Sequence, residues 1–185
     1  MVKLLYFDCE TTGLDPKSCA IVQLAGFVVI DGREVDRFDI KCRPWVGSQI
    51  EEKALEIQGR AKEEIMGYPD PKEAFTEFVE LLNKYGEGGR LFFVGYNSKF
   101  DEEFLRAFLS RYSYQYGKSF WSPSLDVMAL AAFHLMTKRH DLENFKLGTV
   151  AEYFGVKTEG ALHDAFTDID LTRKIMVKIS SEIWG

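Results

Sequence analysis

Four acidic side chains stand where the surrounding sequence pattern favours apolar residues. Asp8 and Glu10 follow a short apolar run, while Asp101 and Asp168 extend the apolar stripes of two amphipathic helices toward their N-termini. Burial of an ionised carboxylate is costly unless a cation or a metal ion compensates its charge. Carboxylate oxygens suit Mg²⁺ and Mn²⁺, and two such ions can activate a water and stabilise the leaving oxygen of a phosphoryl displacement. The pattern therefore predicts a two-metal hydrolytic site at these four acids.

Each acid, taken alone, has a simpler interpretation. Asp8 and Glu10 could form a solvated strand end, and Asp101 and Asp168 could be first-turn acids favoured by the dipoles of their helices. Against this, no Lys or Arg at helical spacing offers Asp101 or Asp168 a partner on its own face. The metal-site hypothesis rests on all of these acids occurring together.

The first predicted strand, residues 3–8, has to position Asp8 and Glu10. In a strand, alternate residues share a face, so these two acids project together with Leu4 and Tyr6. The intervening apolar residues point to the other face. We therefore expect two acids side by side at one strand end.

The remaining elements follow from apolar periodicity and from turn signals. Further strands are predicted at 19–30, 33–42 and 91–94, and Asp31-Gly32 is a hairpin signal between the first two of them. Helices are predicted at 50–58, 71–85, 99–112, 125–137, 145–154 and 163–183. The second of them opens at Asp70-Pro71, a cap residue followed by a proline where one is tolerated. Strands that come first and helices that follow are typical of an α/β or α+β layered domain.

Composition limits the class of protein further. The 185 residues, 46% of them hydrophobic, suit one compact domain spanning 1–185. A formal net charge of −6 argues against electrostatic coating of nucleic acid, although bound divalent cations would reverse the local sign. Cys9, Cys19 and Cys42 are odd in number and show no CxxC spacing, which favours a reducing compartment. Without a signal peptide or a membrane span, we expect a soluble, cytoplasmic protein.

Three local sequences resemble the motifs of a known family. Residues 8–14 (Asp-Cys-Glu-Thr-Thr-Gly-Leu) resemble DxETTG, residues 97–101 (Asn-Ser-Lys-Phe-Asp) resemble NxxFD, and residues 163–168 resemble HxxxxD. In this order they are similar to the DnaQ-like superfamily of 3′-to-5′ exonucleases. Because His163 stands five residues before Asp168, the chain resembles the DEDDh branch. That branch includes the proofreading epsilon subunit of bacterial DNA polymerase III, RNase T and oligoribonuclease.

The resemblance implies a fold and a role for each matched residue. The fold would be ribonuclease-H-like, a mixed five-stranded sheet flanked by helices. Asp8, Glu10 and Asp168 would hold the metal that carries the attacking water. Asp8 would bridge to a second metal near Asp101, and His163 would take a proton from the water as general base. The expected substrate-binding residues are Thr11, Thr12, Gly13, Leu14, Asn97 and Phe100.

Several of these positions keep two interpretations. Leu14 and Phe100 either pack against the terminal base or belong to the core. Asn97 either hydrogen-bonds near the site or caps a helix. Asp126 is predicted to be a helix N-cap; the alternative is that it supports the residues of the site from behind. Proofreading relatives often have His where this chain has Tyr96. The chain also differs from them in a second respect, the extra acid Asp164 beside His163.

The activity implied is metal-dependent release of nucleoside 5′-monophosphates from the 3′ end of single-stranded or frayed DNA. Two Mg²⁺ or Mn²⁺ ions per site are the expected cofactors, and a DNA polymerase is a candidate partner. Two alternatives stay open. One is an RNase T-like or oligoribonuclease-like activity on RNA, and the other is a catalytically silent nucleic-acid-binding module of the same fold.

Overall fold

A computed structural model describes residues 1–157 and 164–184 and contains a mixed sheet. Its strands are β1 (Lys3–Thr11), β2 (Ile21–Ile30), β3 (Arg33–Lys41), β4 (Phe92–Gly95) and β5 (Leu125–Asp126). The order across the sheet is β3-β2-β1-β4-β5. The β1–β2 and β2–β3 pairs are antiparallel, and the β1–β4 and β4–β5 pairs are parallel. The predicted mixed five-stranded sheet is confirmed.

Helices flank this sheet. They are α1 (Glu52–Gln58), α2 (Lys62–Met66), α3 (Pro71–Gly86), α4 (Ser98–Arg111), α5 (Val127–His134), α6 (Leu147–Tyr153) and α7 (Ala165–Trp184). Short 3₁₀ segments lie at Tyr116–Lys118 and Met136–Asp141. Each of the six predicted helices is present.

Most element boundaries differ from the sequence prediction by one to three residues, and three differences have a clear physical reason. β1 continues three residues beyond its predicted end at residue 8, because Cys9, Glu10 and Thr11 also pair with β2. The helix predicted at 125–137 starts only at Val127, since residues 125 and 126 join the sheet edge beside β4. α2 was not predicted; its five residues are too few to show a helical period.

Local sequence explains two of the junctions. Asp31 and Gly32 both adopt positive φ, at 47° and 80°, as a two-residue hairpin turn requires. Asp70 caps α3 by accepting a hydrogen bond from the backbone N–H of Lys72 at 2.9 Å, with Pro71 in the first turn. The sequence predicts both the hairpin turn and the helix cap from these residue types.

The core lies on both faces of the sheet. Leu5, Phe7 and Cys9 pack on one face with side chains of α3 and α4, whereas Tyr6 packs on the other with side chains of α5 and α7. The predicted alternation of β1 is therefore confirmed, and it places Asp8 and Glu10 on the Tyr6 face.

Two observations bear on the protein's surroundings. Cys9, Cys19 and Cys42 are buried and free. Within residues 1–157 and 164–184, no helix is both long enough and apolar enough to cross a membrane.

Candidate active site

The end of β1 presents two acids beside its neighbour β2. Asp8 pairs with Ala25 and Glu10 pairs with Gln23, and the register shifts immediately after Glu10. Glu10 is 9% exposed and Asp8 is half-buried. A solvated strand end, the simpler interpretation of these acids, does not describe Glu10.

Asp101 approaches the same strand end from the opposite face of the sheet. Its helix α4 packs against the cluster that contains Phe7 and Cys9, not against the cluster that contains Tyr6. The side chain is 4% exposed, and its Oδ1 accepts hydrogen bonds from the Cys9 backbone N–H at 3.1 Å and from the Cys9 thiol at 3.4 Å. These bonds fix the Asp101 carboxyl against the strand that carries Asp8 and Glu10.

Asp168 lies in the first turn of α7, and Asp164 caps that turn. Asp164 Oδ2 accepts hydrogen bonds from the backbone N–H and the hydroxyl of Thr167, at 3.2 and 3.3 Å. The backbone N–H of Asp168 donates to the carbonyl of Asp164 at 2.9 Å. His163, the predicted general base, lies outside the described residues.

The acids are close enough to change one another's ionisation. Burial raises the pKa of Asp8 well above its usual range, and the charges of Asp101, Glu10, Asp168 and Asp164 raise it further. An ionised carboxylate here is therefore opposed both by lost hydration and by its neighbours.

The pKa values of Glu10 and Asp101 are also raised. Burial raises the pKa of Glu10 to about 8; the guanidinium of Arg60 opposes this rise, and Asp168 and other acids add to it. Burial also raises the pKa of Asp101 to about 7, although the hydrogen bonds from Cys9 partly offset the effect. Strongly shifted acids at one place are typical of functional sites.

This donor set fits a hard divalent cation in its chemistry. The four acids offer only carboxylate oxygens, which suit Mg²⁺ or Mn²⁺, and a divalent ion would offset the repulsion among them. In the part of the chain that the structure describes, no three acid, His or Cys side chains already form a metal-binding group.

The turn after β1 is held by the segment that leads into α1. The Thr12 hydroxyl donates to the Gln49 carbonyl at 2.6 Å, and the Thr12 carbonyl accepts from the Glu51 N–H at 2.7 Å. A Cβ added at Gly13 would lie 2.4 Å from Glu51 Oε1 and 2.5 Å from the Cys19 sulfur, so these side chains or the turn would have to shift. Leu14 is 76% exposed, which is inconsistent with a core position.

Thr11 and Phe100 are less exposed than Leu14. The Thr11 hydroxyl donates to the carbonyl of Gly13 at 2.8 Å, a bond within the turn. Phe100 is half-buried, packs against the core cluster of α3 and α4, and lies 4.9 Å from the Phe104 ring. Its packing agrees with the core interpretation.

Asn97 and Asp126 form a joint between β4 and α5. Asn97 precedes α4 in a left-handed conformation, with φ 57°, and its side chain makes no capping bond. Asp126 Oδ1 accepts from the N–H groups of Asn97 at 3.0 Å and Met128 at 2.9 Å. Asp126 thus caps α5, as predicted, and also fixes the backbone of Asn97.

A cavity of about 710 Å³ adjoins Asp168. Its walls come from Tyr96 and Asn97 after β4, from Met128 in α5 and from residues 145–149. The Tyr96 hydroxyl donates to the carbonyl of Phe145 at 2.7 Å and so joins two of these walls. The space is large enough for a nucleotide-sized ligand.

Arg60 and Gln23 are near the acids, but neither had been predicted. Gln23 is fully buried opposite Glu10 in the β1–β2 register. The Arg60 side chain is 9% exposed, and its Nη2 donates to Gln23 Oε1 and lies 3.7 Å from Asp164 Oδ1. Arg60 follows Gly59, which ends α1, and belongs to no periodic pattern and no motif. Only the tertiary fold therefore shows that it lies near the acids.

The fold and the acid cluster define the class of protein as a phosphodiester hydrolase with a ribonuclease-H-like fold. A family model described as Exonuclease, RNase_T, matches residues 5–176. The chain belongs to this exonuclease family, which depends on divalent metal ions.

Two curated relatives illustrate the similarity. The epsilon subunit of DNA polymerase III from Aquifex aeolicus (strain VF5) is 32% identical over 178 residues, 96% of this chain and 80% of the relative. A PolC-type DNA polymerase III from Pediococcus pentosaceus is 29% identical over 170 residues, 92% of this chain but only 11% of that much longer protein.

Solved structures share the fold at lower identity. Escherichia coli exonuclease I in complex with a dT13 oligonucleotide superposes with a TM-score of 0.78 at 21% identity, over 98% of this chain and 41% of that one. A zinc-ion-bound form of the E. coli enzyme with single-stranded DNA gives a TM-score of 0.80, over 100% and 41% of the two chains. The chain thus spans less than half the length of these neighbours.

Proposed function

We propose that this chain is a single exonuclease domain, residues 1–185, that removes nucleoside 5′-monophosphates from the 3′ end of single-stranded or frayed DNA. The observation that carries the proposal is the cluster of acids around Asp8. Buried carboxylates that raise one another's pKa are poorly suited to stability, whereas they are well suited to binding divalent cations beside a phosphodiester.

In this proposal Asp8, Glu10 and Asp168 would hold one Mg²⁺ or Mn²⁺ ion, and Asp8 with Asp101 would hold a second. Bound ions would supply a polarised water and would stabilise the charge of the leaving oxygen. His163 takes the proton of the attacking water, for which an imidazole with a pKa near neutrality is suited. The capped first turn of α7 holds Asp168 in place.

The turn after β1 and the cavity beside Asp168 are the proposed substrate contacts. The backbone of Thr11, Thr12 and Gly13 would hold the terminal nucleotide, and the exposed Leu14 would pack on its base, whichever base it is. Asn97 lines the cavity, whereas Phe100, in α4, packs against the core cluster.

DNA is favoured over RNA by the relatives. The first relative described above is a DNA polymerase subunit, and the structural neighbours are bound to DNA oligonucleotides. The same similarity supports a replicative DNA polymerase as partner. Three free, buried cysteines agree with a reducing compartment, so we place the enzyme in the cytoplasm.

A substrate panel tests the proposal. The chain is incubated with 5′-labelled single-stranded DNA, a duplex with a mismatched 3′ end, and a short RNA, each with Mg²⁺, Mn²⁺ or EDTA. We expect stepwise shortening of both DNA substrates from the 3′ end, with either metal but not with EDTA. Faster shortening of RNA would favour the RNase T-like alternative, and binding without shortening would favour the silent module.

A further inference from the structure

Arg60 is a buried cation that the proposed chemistry does not use. It lies between α1 and α2, and its side chain is 91% buried. Among the described residues its Nη1 has no hydrogen-bond partner. A buried guanidinium is costly unless nearby acids and acceptors compensate it, so its surroundings should explain its presence.

Gln23 connects Arg60 to the sheet. Gln23 is fully buried on β2, directly opposite Glu10, and its Oε1 accepts a hydrogen bond from Arg60 Nη2. Its Nε2 donates to Asp39 Oδ1 at 2.7 Å and to Asp164 Oδ1 at 3.4 Å. A buried amide whose donor and acceptor are both engaged has one orientation only.

Asp164 joins this network to α7. Its Oδ1 faces Gln23 and Arg60, the latter at 3.7 Å, while its Oδ2 accepts both hydrogen bonds from Thr167. Oδ1 therefore contacts the sheet residue Gln23 and its partner Arg60, whereas Oδ2 caps α7. Because Asp168 is four residues further along and its N–H donates to the Asp164 carbonyl, the position of Asp164 fixes the turn that carries Asp168.

We propose that Arg60 and Gln23 are positioning residues, which hold Asp164 and thereby fix the first turn of α7 with the Asp168 carboxylate against Glu10. The inference rests on the proposed function, since it assigns these residues to the same site. Glu10 and Gln23 are directly paired across β1 and β2, so the contacts of Gln23 fix Asp164 relative to Glu10.

The kinetic test compares Arg60→Met, which keeps the length of the side chain but removes its charge, with Arg43→Met as the matched control. Arg43 forms a surface ion pair with Asp70, at the start of α3. We expect Arg60→Met to lower kcat on single-stranded DNA about 10- to 100-fold with little change in KM, the size typical of residues that orient metal ligands. Arg43→Met should match the wild type. Equal kcat for Arg60→Met and the wild type, both folded, would overturn the inference.

A double-mutant cycle covers the case in which Arg60→Met fails to fold. Arg60→Lys and Asp164→Asn are milder changes, and if Arg60 acts through Asp164, the double variant should lose less in kcat than the product of the two single losses. Arg60→Lys alone should retain part of the activity. Losses that multiply independently would contradict the proposal.

Hydrogen exchange separates this inference from the proposed function. The Thr167 and Asp168 amides should exchange faster in the Arg60 variants than in the wild type, whereas amides of α3 should be unchanged. If the wild type has no exonuclease activity but shows this pattern, the proposed function fails and the positioning role stands. If the wild type is an active exonuclease but the Thr167 and Asp168 amides exchange equally fast in the Arg60 variants and in the wild type, the positioning role alone is refuted.

Discussion

At the scale of single residues, burial determines the chemistry of the site. Glu10, Asp101 and Asp8 are held where their ionised forms are disfavoured, and Arg60 is the buried cation that opposes this for Glu10. At the proposed metal site a bound divalent ion would offset this cost.

His163 should matter for turnover more than for metal binding. If it removes a proton from the attacking water, His163→Ala should lower kcat roughly 100- to 10,000-fold, the usual contribution of a general base. Mn²⁺ affinity, measured by calorimetry, should change little. His134, which lies in α5 beside Phe154, provides a control substitution that should leave kcat near the wild-type value. A large loss of Mn²⁺ affinity with His163→Ala would instead make this residue a metal ligand.

Glu10 should destabilise the metal-free protein at high pH. Its pKa is about 8 when folded and 4.5 in its ordinary state, so below pH 4.5 both states are protonated and there is no penalty. Between these values only the unfolded chain releases the proton, and stability falls as pH rises.

Glu10→Gln cannot ionise, so in EDTA it should melt above the wild type at pH 8 and close to it at pH 5. The expected gain is roughly 2–4 °C for each kcal/mol of penalty removed. Calorimetric melting at the two pH values measures it. The exposed Glu77→Gln in α3 is the matched control and should show no such pH dependence. A gain at pH 5 as large as that at pH 8 would show that ionisation is not the cause.

At the scale of elements, the site depends on segments that meet at the end of β1. α7 covers the face that carries Asp8 and Glu10, α4 brings Asp101 from the other face, and the lead into α1 holds the following turn. The geometry of that turn is therefore a property of two segments about 40 residues apart, joined by the Thr12–Gln49 and Thr12–Glu51 bonds.

Gly13→Ala tests the turn. The new Cβ would fall 2.4 Å from Glu51 Oε1 and 2.5 Å from the Cys19 sulfur, so the turn or the side chains that pack against it would have to shift. We expect kcat/KM on single-stranded DNA to fall roughly 10- to 100-fold because the terminal nucleotide is misplaced. Mn²⁺ affinity should be retained. Gly86→Ala, at the end of α3 with open space around it, is the control, and an equal loss there would point to a general effect on folding.

Sequence periodicity sufficed for most elements because each has a clear signal. The strand alternation around Tyr6, the Asp31-Gly32 turn and the Asp70 cap all appear in the structure as predicted. α2 could not be predicted, because its five residues are too few for a period to emerge. The short β5 was hidden in a helical pattern, since only its pairing with β4 makes it a strand.

The candidate site was less evenly predictable. The acids stand out because each interrupts an apolar pattern, so Asp101 and Asp168 can be found without a structure. Arg60 and Gln23 cannot, since their contacts with each other and with Asp164 join residues far apart in the sequence, which no local pattern encodes. The cap formed by Asp164 was not predicted either, because the predicted last helix, 163–183, already included this residue, whereas α7 starts at Ala165.

At the scale of the whole molecule, the net charge of −6 repels a polyanion, and the acid cluster adds to this repulsion where the phosphodiester has to bind. Bound divalent ions would reverse the local sign. Metal binding and DNA cleavage should therefore be inseparable, and both should depend on Asp8, the acid that all the other site acids influence.

The most direct measurement is Mn²⁺ binding and release of the 3′-terminal nucleotide from single-stranded DNA, determined on the same samples of wild type, Asp8→Asn and the exposed control Asp15→Asn. We predict that the wild type and Asp15→Asn bind two Mn²⁺ ions and release nucleoside 5′-monophosphate. Asp8→Asn should lose Mn²⁺ binding, and its release should fall to the level seen with EDTA. Wild-type rates of release by Asp8→Asn would contradict a metal-dependent site at the end of β1.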